Sequence, residues 1–266
     1  LYSGLDGYDC SGSSKIFGPL EEKYGVKICY GKKKIHELHE RKSETVDIVT
    51  ADIWCMKQEH IDKFKFRLWE SYGIQSDHFK TDYDYEQYLR IGILLPELLT
   101  ALYGQEEAVV FSHEYMGMPS ALAIELAKKD GLRKDDITVF YAHEVSTARK
   151  VVEDHPAHDL MFYNVMRLDM QSGISLEKRF GSFAGYSRNE LVKRATLLDH
   201  VFAVSDVTME ELKYLMPDCD TKKIKVVYNG IPIEKVTFER KRKAMDGIAK
   251  YCERLYNFRP DHIFTH

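Results

Sequence analysis

The sequence predicts an α/β fold in which a parallel sheet carries helices on both faces. Four short apolar runs lie at 108–111, 137–142, 201–204 and 224–228. Three of these runs are nearly continuous in β-branched or aromatic residues, which is typical of strands that are covered on both faces. Helical segments separate the runs, and strands that alternate with helices favour parallel pairing.

The elements ahead of the sheet follow from glycine content and apolar spacing. Residues 1–45 are rich in glycine, so short strands and turns are predicted there. A strand is predicted to begin at 46–49, and a helix is predicted at 60–72. Apolar residues recur at helical spacing through 85–103, and Pro96 within that stretch predicts a kink or two shorter helices.

Proline and capping residues set the helix boundaries in the rest of the chain. A helix at 120–129 is predicted to open directly after a proline. The order Ser-Arg-Asn-Glu at 187–190 is a capping box, which predicts a helix that runs to residue 198. Ser205 can cap a further helix. A charged helix is predicted at 234–257, followed by a strand at 263–265.

Each apolar run of the predicted sheet is followed by polar residues. In chain order these are His113 and Glu114, His143 and Glu144, Ser205, and Asn229 and Gly230. The carboxyl ends of parallel strands share one edge of a sheet, and ligands bind in the crevice along that edge. We therefore expect these side chains to converge in one cleft.

His143 is the strongest candidate for chemistry in that cleft. Its imidazole can bind a ligand hydroxyl or act as a general base, or it can simply bond a backbone carbonyl at the strand end. Glu144 can orient this imidazole or cap the next helix. The Asn229-Gly230 pair can face a ligand or form a plain turn that needs a positive φ.

Composition and missing motifs exclude several classes of protein. Lys and Arg total 38 against 42 Asp and Glu, so no basic excess supports nucleic-acid binding. The five cysteines are scattered without a C-x-x-C pair, which favours reduced thiols in a cytoplasmic protein over a zinc site or disulfide framework. The longest apolar stretch, 91–96, is far short of the ~20 residues of a membrane span. No G-x-G-x-x-G or G-x-S-x-G motif occurs, and His113-Glu114 lacks the second histidine of a zinc-binding H-E-x-x-H.

Six segments resemble, in chain order, motifs of the glycogen synthase family. They are LWESYGI at 68–74 (L-W-x-x-x-G-I), VFSHEYMG at 110–117 (H-E-W-x-x-G), FYAHE at 140–144 (T-x-H), DLMFYN at 159–164 (D-F-Y-N), the stretch 194–205 (E-R-A…V-F-T-T-V-S) and VYNGI at 227–231 (N-G-[IL]). The matches are colinear, and together they indicate the N-terminal half of a glycogen synthase-like glycosyltransferase.

This resemblance implies a fold, a reaction and a domain order. Residues 1–232 would be the Rossmann-like, acceptor-side N-terminal domain of a two-domain GT-B enzyme. Residues 233–266 would supply a linker helix and the first strand leading into a C-terminal domain. The reaction would be the retaining transfer of a sugar, with glucose expected, from UDP-glucose or ADP-glucose to a glucan or another hydroxyl acceptor. No metal or other cofactor is implied.

The resemblance also implies roles for individual residues. His143 would be catalytic through contact with the donor sugar. The donor-sugar side would further include Asn229, Gly230, Ser205 and Glu144, and the acceptor side would include His113, Glu114, Tyr163 and Asn164. The nucleotide, and an Arg/Lys pair that neutralises the leaving diphosphate, would belong to the C-terminal domain, so this chain is expected to be inactive alone.

Two other functions stay open at this point. A non-catalytic carbohydrate-binding or scaffolding domain could keep the same fold without the chemistry. A nucleotide-sugar epimerase is a third possibility, which the helical stretch at 144–199 makes less attractive. The expected partners are the nucleotide-sugar, the acceptor and the C-terminal domain, and the stretch at 85–103 could pack internally or against a second copy.

Overall fold

The protein is described here by a computed structural model of the 266-residue chain. The structure describes residues 14–36, 43–154, 158–230, 236–260 and 262. The chain forms two compact units. The first comprises Leu1–Lys34 and Thr45–Asn229, and the second comprises Ile35–Glu44 and Gly230–His266.

The chain opens with elements that precede the main sheet. Helix α1 (Ser14–Tyr24) is followed by strands β1 (Lys27–His36) and β2 (Ser43–Asp52), which pair in a two-stranded sheet. Helices α2 (Gln58–Tyr72) and α3 (Tyr83–Tyr103) come next, with a 3-10 turn at Ser76–Phe79 between them.

Strands and helices then alternate along the chain. In order they are β3 (Val109–His113), α4 (Glu114–Lys129), β4 (Ile137–Ala142), α5 (Ser146–Asp154), α6 (His158–Gln171), α7 (Leu176–Phe180), α8 (Ser187–Lys193), β5 (His200–Ala203), α9 (Asp206–Leu215) and β6 (Ile224–Val226). The second unit contains α10 (Phe238–Tyr256), which matches the predicted charged helix. The strand predicted at 263–265 lies outside the described residues.

The four predicted strands form one parallel sheet in the order β3-β4-β5-β6. Val139 in β4 lies opposite Phe111 of β3 on one side and His200 of β5 on the other. Because every strand runs the same way, the four carboxyl ends share one edge of the sheet. The fold is therefore α/β with a parallel sheet flanked by helices, an arrangement compatible with a Rossmann-like domain.

One face of the sheet is buried under helices. Ser112, Phe140 and Val201 point to this face and are at most 1% exposed. Helix α4 packs on β3 and β4 there, and α9 packs on β5 and β6. Since the strands follow chain order across the sheet and parallel crossovers are right-handed, successive connections return on the same face.

The opposite face is open at β3, so at this strand the prediction of helices on both faces is not met within the described part of the first unit. Val109 is 53% exposed and Phe111 is 50% exposed. The Phe111 ring centroid lies 6.4 Å from that of Phe202 on β5. Val139, on the strand between them, is 2% exposed. Aromatic rings of the sheet itself thus cover the centre of this face.

Helices α3 and α4 are in very close contact at a proline that the sequence predicts to precede a helix. A Cβ at Gly92 of α3 would lie 2.7 Å from the carbonyl carbon and oxygen of Pro119. Helix α4 begins at Glu114 rather than after Pro119, so the proline lies inside the helix. Pro96 likewise lies inside the single helix α3, which excludes the alternative of two shorter helices.

Two other local predictions are wrong. Residues 14–24 form α1 and not strands or turns; its buried residues include Phe17 and Tyr24. Ser187 does not cap α8, because the cap position is Tyr186 and the Ser187 hydroxyl donates to the Asp82 carboxylate at 2.5 Å. Tertiary contacts therefore take precedence over the local capping signal.

The described helices were compared with the length and composition of a membrane span. Within the described ranges, none combines the length and the apolar composition needed to span a bilayer. Among the described residues, Cys29, Cys55, Cys219 and Cys252 form no disulfide.

Candidate functional site

Two imidazoles meet at the carboxyl edge of the sheet. His113 is the last residue of β3, and His143 follows directly after β4. Nδ1 of His113 and Nε2 of His143 are 3.1 Å apart and share a hydrogen bond, and the ring centroids are 5.4 Å apart. One nitrogen must donate and the other must accept, so both rings cannot be fully protonated while this bond exists.

Tyr141 links these imidazoles to the end of β6. Its hydroxyl lies 2.8 Å from the carbonyl oxygen of Val227 and 3.1 Å from Oδ1 of Asn229. Its ring centroid is 4.6 Å from that of His143 and 5.5 Å from that of His113. His113, His143 and Asn229 therefore lie around one tyrosine on the same side of the sheet, and all three are exposed.

Glu114 does not face this cleft. Its side chain is buried, and the residue is only 8% exposed. Oε1 accepts a short hydrogen bond from the backbone N–H of His143 and a second one, 2.8 Å long, from the backbone N–H of Glu144. The structure therefore places this carboxylate beneath the turn that joins β4 to α5, and the acceptor-side role that the resemblance implies for it stays a prediction.

A small cavity adjoins His143. It encloses about 160 Å³ and is lined by side chains that include Arg149, Tyr163, Thr208 and Glu211. The hydroxyl of Tyr163 donates to Oε1 of Glu211 at 2.7 Å. Because small-molecule pockets usually enclose roughly 300–1,000 Å³, this volume suits a single small ring rather than a whole nucleotide-sugar.

Glu144 and Arg149 supply charge at the mouth of this cavity. The Glu144 carboxylate is about half exposed, and its Oε2 lies 4.0 Å from Nε of Arg149. The backbone N–H of Glu144 donates to Glu114, as described above. The side chain of Glu144 therefore pairs with the guanidinium of Arg149 on α5.

Two charged residues that line the cavity were not predicted from the sequence. Arg149 lies on α5 and Glu211 on α9. A usable signal existed in α9, because Val207 and Glu211 are four residues apart and share one helix face. Arg149 likewise follows Val145 by four residues, a spacing that places two side chains on the same helix face, and both residues line the cavity.

The remaining predicted residues have other surroundings. The hydroxyl of Ser205 caps α9 by accepting from the backbone N–H of Thr208 at 3.1 Å, as the capping prediction required. Asn164 is an exposed residue of α6 outside the cavity lining. Gly230 belongs to the second unit, and neither it nor Asn229 has a positive φ, so no turn of that kind is formed.

Comparisons with known proteins supply no family. No protein-family model matches this chain, and no curated protein matches it either. In the part of the chain that the structure describes, no cluster of three or more His, Cys, Asp or Glu side chains is placed to hold a metal ion.

Replacing Tyr141 with phenylalanine is expected to loosen the end of β6. The ring stays against His143, but the hydroxyl that reaches Val227 and Asn229 is lost. We expect a loss of about 0.5–1.5 kcal/mol in the free energy of unfolding, measured by urea denaturation. Tyr228→Phe is the matched control, because the hydroxyl of Tyr228 donates instead to the exposed carboxylate of Asp206. Equal losses in the two variants would contradict the linking role of Tyr141.

The buried carboxyl of Glu114 should make the free energy of unfolding depend on pH. Burial raises its pKa above the ordinary 4.5, although the bonds from the Glu144 and His143 N–H groups favour ionisation. The folded protein therefore keeps this proton to a higher pH than the unfolded chain does. It follows that the stability contributed by this group falls as pH rises from 4.5 through the folded-state pKa.

Glu114→Gln keeps an acceptor oxygen and removes this titration. Urea denaturation between about pH 4 and pH 8 should show the free energy of unfolding of wild type falling relative to that of the variant, and then levelling off. Glu107→Gln removes the same charge from an exposed position, so it separates burial from net charge. A wild type that gains stability relative to Glu114→Gln as pH rises would contradict the prediction.

Proposed function

We propose that this chain is the Rossmann-like, acceptor-side domain of a GT-B glycosyltransferase related to glycogen and starch synthases. The enzyme would transfer a sugar, with glucose expected, from a nucleotide-sugar to a glucan or another hydroxyl acceptor, with retention at the anomeric carbon. The observation that carries the proposal is the arrangement of His113, His143 and Asn229 around Tyr141, at the edge of the sheet and next to the cavity.

The chemistry of these side chains suits a sugar. Each sugar hydroxyl both donates and accepts hydrogen bonds, and imidazole, phenol, amide and carboxylate groups together offer both functions. The cavity beside His143 adds an arginine and two carboxylates at close quarters, and its volume of about 160 Å³ suits one ring.

The proposed reaction exchanges one bond at the anomeric carbon for another. The bond to the diphosphate oxygen breaks, a bond to the acceptor hydroxyl oxygen forms, and the nucleoside diphosphate leaves together with the proton that the hydroxyl loses. His143 would hold a hydroxyl of the donor sugar, and Asn229 would lie beside it. The nucleotide would be bound by a C-terminal domain, as the resemblance implies. The enzyme would be cytoplasmic, where cysteines stay reduced, as the scattered cysteines of the sequence suggest.

The test is a transfer assay on the full-length protein. Labelled UDP-glucose and ADP-glucose are each incubated with the protein and a glucan primer, and the label that enters the polymer is measured. Incorporation from either donor, with the anomeric configuration retained by NMR, is the expected result. Binding of the glucan without transfer from either donor would favour the non-catalytic carbohydrate-binding alternative and reject the enzyme.

A further inference from the structure

We propose that Glu114 is a positioning residue that holds His143 in place through the backbone of the β4–α5 turn. The geometric part of this inference concerns the turn alone. Its catalytic part rests on the proposed function, because only a working transferase can register the orientation of His143.

The backbone of Glu114 is held in an unfavourable conformation. Its φ is +56°, in the left-handed region that residues with a Cβ rarely adopt. The turn also brings Gly117 against Ser112, where a Cβ at position 117 would lie 2.7 Å from the Ser112 Cα. Such strain persists only where the surroundings hold it, and strained residues concentrate at functional sites.

The strained backbone directs the carboxylate to one specific target. Oε1 accepts from two consecutive backbone N–H groups, those of His143 and Glu144. These two bonds fix the peptide planes on both sides of the His143 Cα. The direction of the His143 side chain is fixed with them, and this direction brings Nε2 within 3.1 Å of His113 Nδ1.

The second carboxylate oxygen of Glu114 indicates that this side chain has a role beyond packing. Oε2 of Glu114 is buried and has no hydrogen-bond partner among the described residues. A buried oxygen without a partner destabilises the fold, so an apolar side chain would serve better if packing were the only role. The carboxylate is retained where its other oxygen holds the turn.

Two variants separate the carboxylate from the strained backbone. Glu114→Gly accepts the positive φ without strain, so it should fold, but it cannot bind the two N–H groups. Glu114→Gln keeps the accepting oxygen. By NMR, we expect the His143 and Glu144 amides to exchange at least about tenfold faster in Glu114→Gly, and within about threefold of wild type in Glu114→Gln.

The imidazole signals of His143 report the same loss of position. In Glu114→Gly the hydrogen-bonded ring signal shared with His113 should disappear, whereas Glu114→Gln should keep it. Unchanged amide exchange together with an unchanged ring signal in Glu114→Gly would overturn the proposal. Neither measurement needs a sugar, so both decide the positioning role even if the protein transfers none.

The transfer assay then tests the catalytic part. In a full-length protein that transfers sugar, Glu114→Gly should lower kcat by about tenfold and change the acceptor KM by less than about threefold. Glu114→Gln should restore most of kcat. Altered NMR signals with an unchanged kcat would reject the catalytic part alone, whereas absence of transfer by wild type would reject the proposed function and leave the NMR result standing.

Discussion

Replacing His143 with alanine is expected to lower the rate of sugar transfer by about 100-fold or more. The imidazole lies at the carboxyl edge of the sheet, next to the cavity and within 3.1 Å of His113. Its removal deletes the group that would hold a hydroxyl of the donor sugar. Because the ring is exposed, the free energy of unfolding should change by no more than about 1 kcal/mol. Initial rates with saturating donor and urea denaturation supply the two measurements.

A second histidine provides the control for this experiment. His78 is also exposed, and it lies in the 3-10 turn between α2 and α3, away from the sheet edge. His78→Ala should therefore leave transfer within about twofold of wild type. A His143→Ala variant that transfers sugar as fast as His78→Ala would refute the role of His143. A variant that loses both rate and several kcal/mol of stability would assign the residue to the fold instead.

Replacing Gly92 with alanine is expected to have the largest effect on stability. The new Cβ would lie 2.7 Å from backbone atoms of Pro119, which cannot move without displacing α4 from the sheet. Alanine favours a helix by about 1 kcal/mol over glycine, and this gain offsets part of the clash. We expect a net loss of about 1–3 kcal/mol in the free energy of unfolding, measured by urea denaturation.

A glycine-to-alanine substitution where the new Cβ has open space should change the free energy of unfolding in the opposite direction. Gly18 lies within α1, and a Cβ there would meet nothing within 4 Å. Gly18→Ala should raise the free energy of unfolding by about 0.5–1 kcal/mol, because only the helix preference remains. If both variants were equally stable, the close approach of α3 to α4 would be refuted.

The sheet and its functional edge could be predicted from the sequence because both follow from local patterns. Runs of β-branched and aromatic residues define the strands, and parallel pairing places their carboxyl ends together. The structure brings three of the predicted residues, His113, His143 and Asn229, around Tyr141. Their functional roles remain predictions.

The rest of the site depends on contacts between distant segments, which a local pattern does not encode. Glu114 adjoins His113 in the sequence, yet its positive φ turns the carboxylate away from the cleft. Arg149 and Glu211 reach the cavity from two helices whose packing sets their direction. Ser187 satisfies a capping motif in sequence, but its hydroxyl bonds Asp82 instead.

The agreement between spatial order and chain order in β3-β4-β5-β6 has a consequence for biosynthesis. No strand of this sheet has to be inserted between two that are already paired. Each newly synthesised strand can add to the exposed margin left by its predecessor, so the sheet can grow in one direction while the ribosome is still at work.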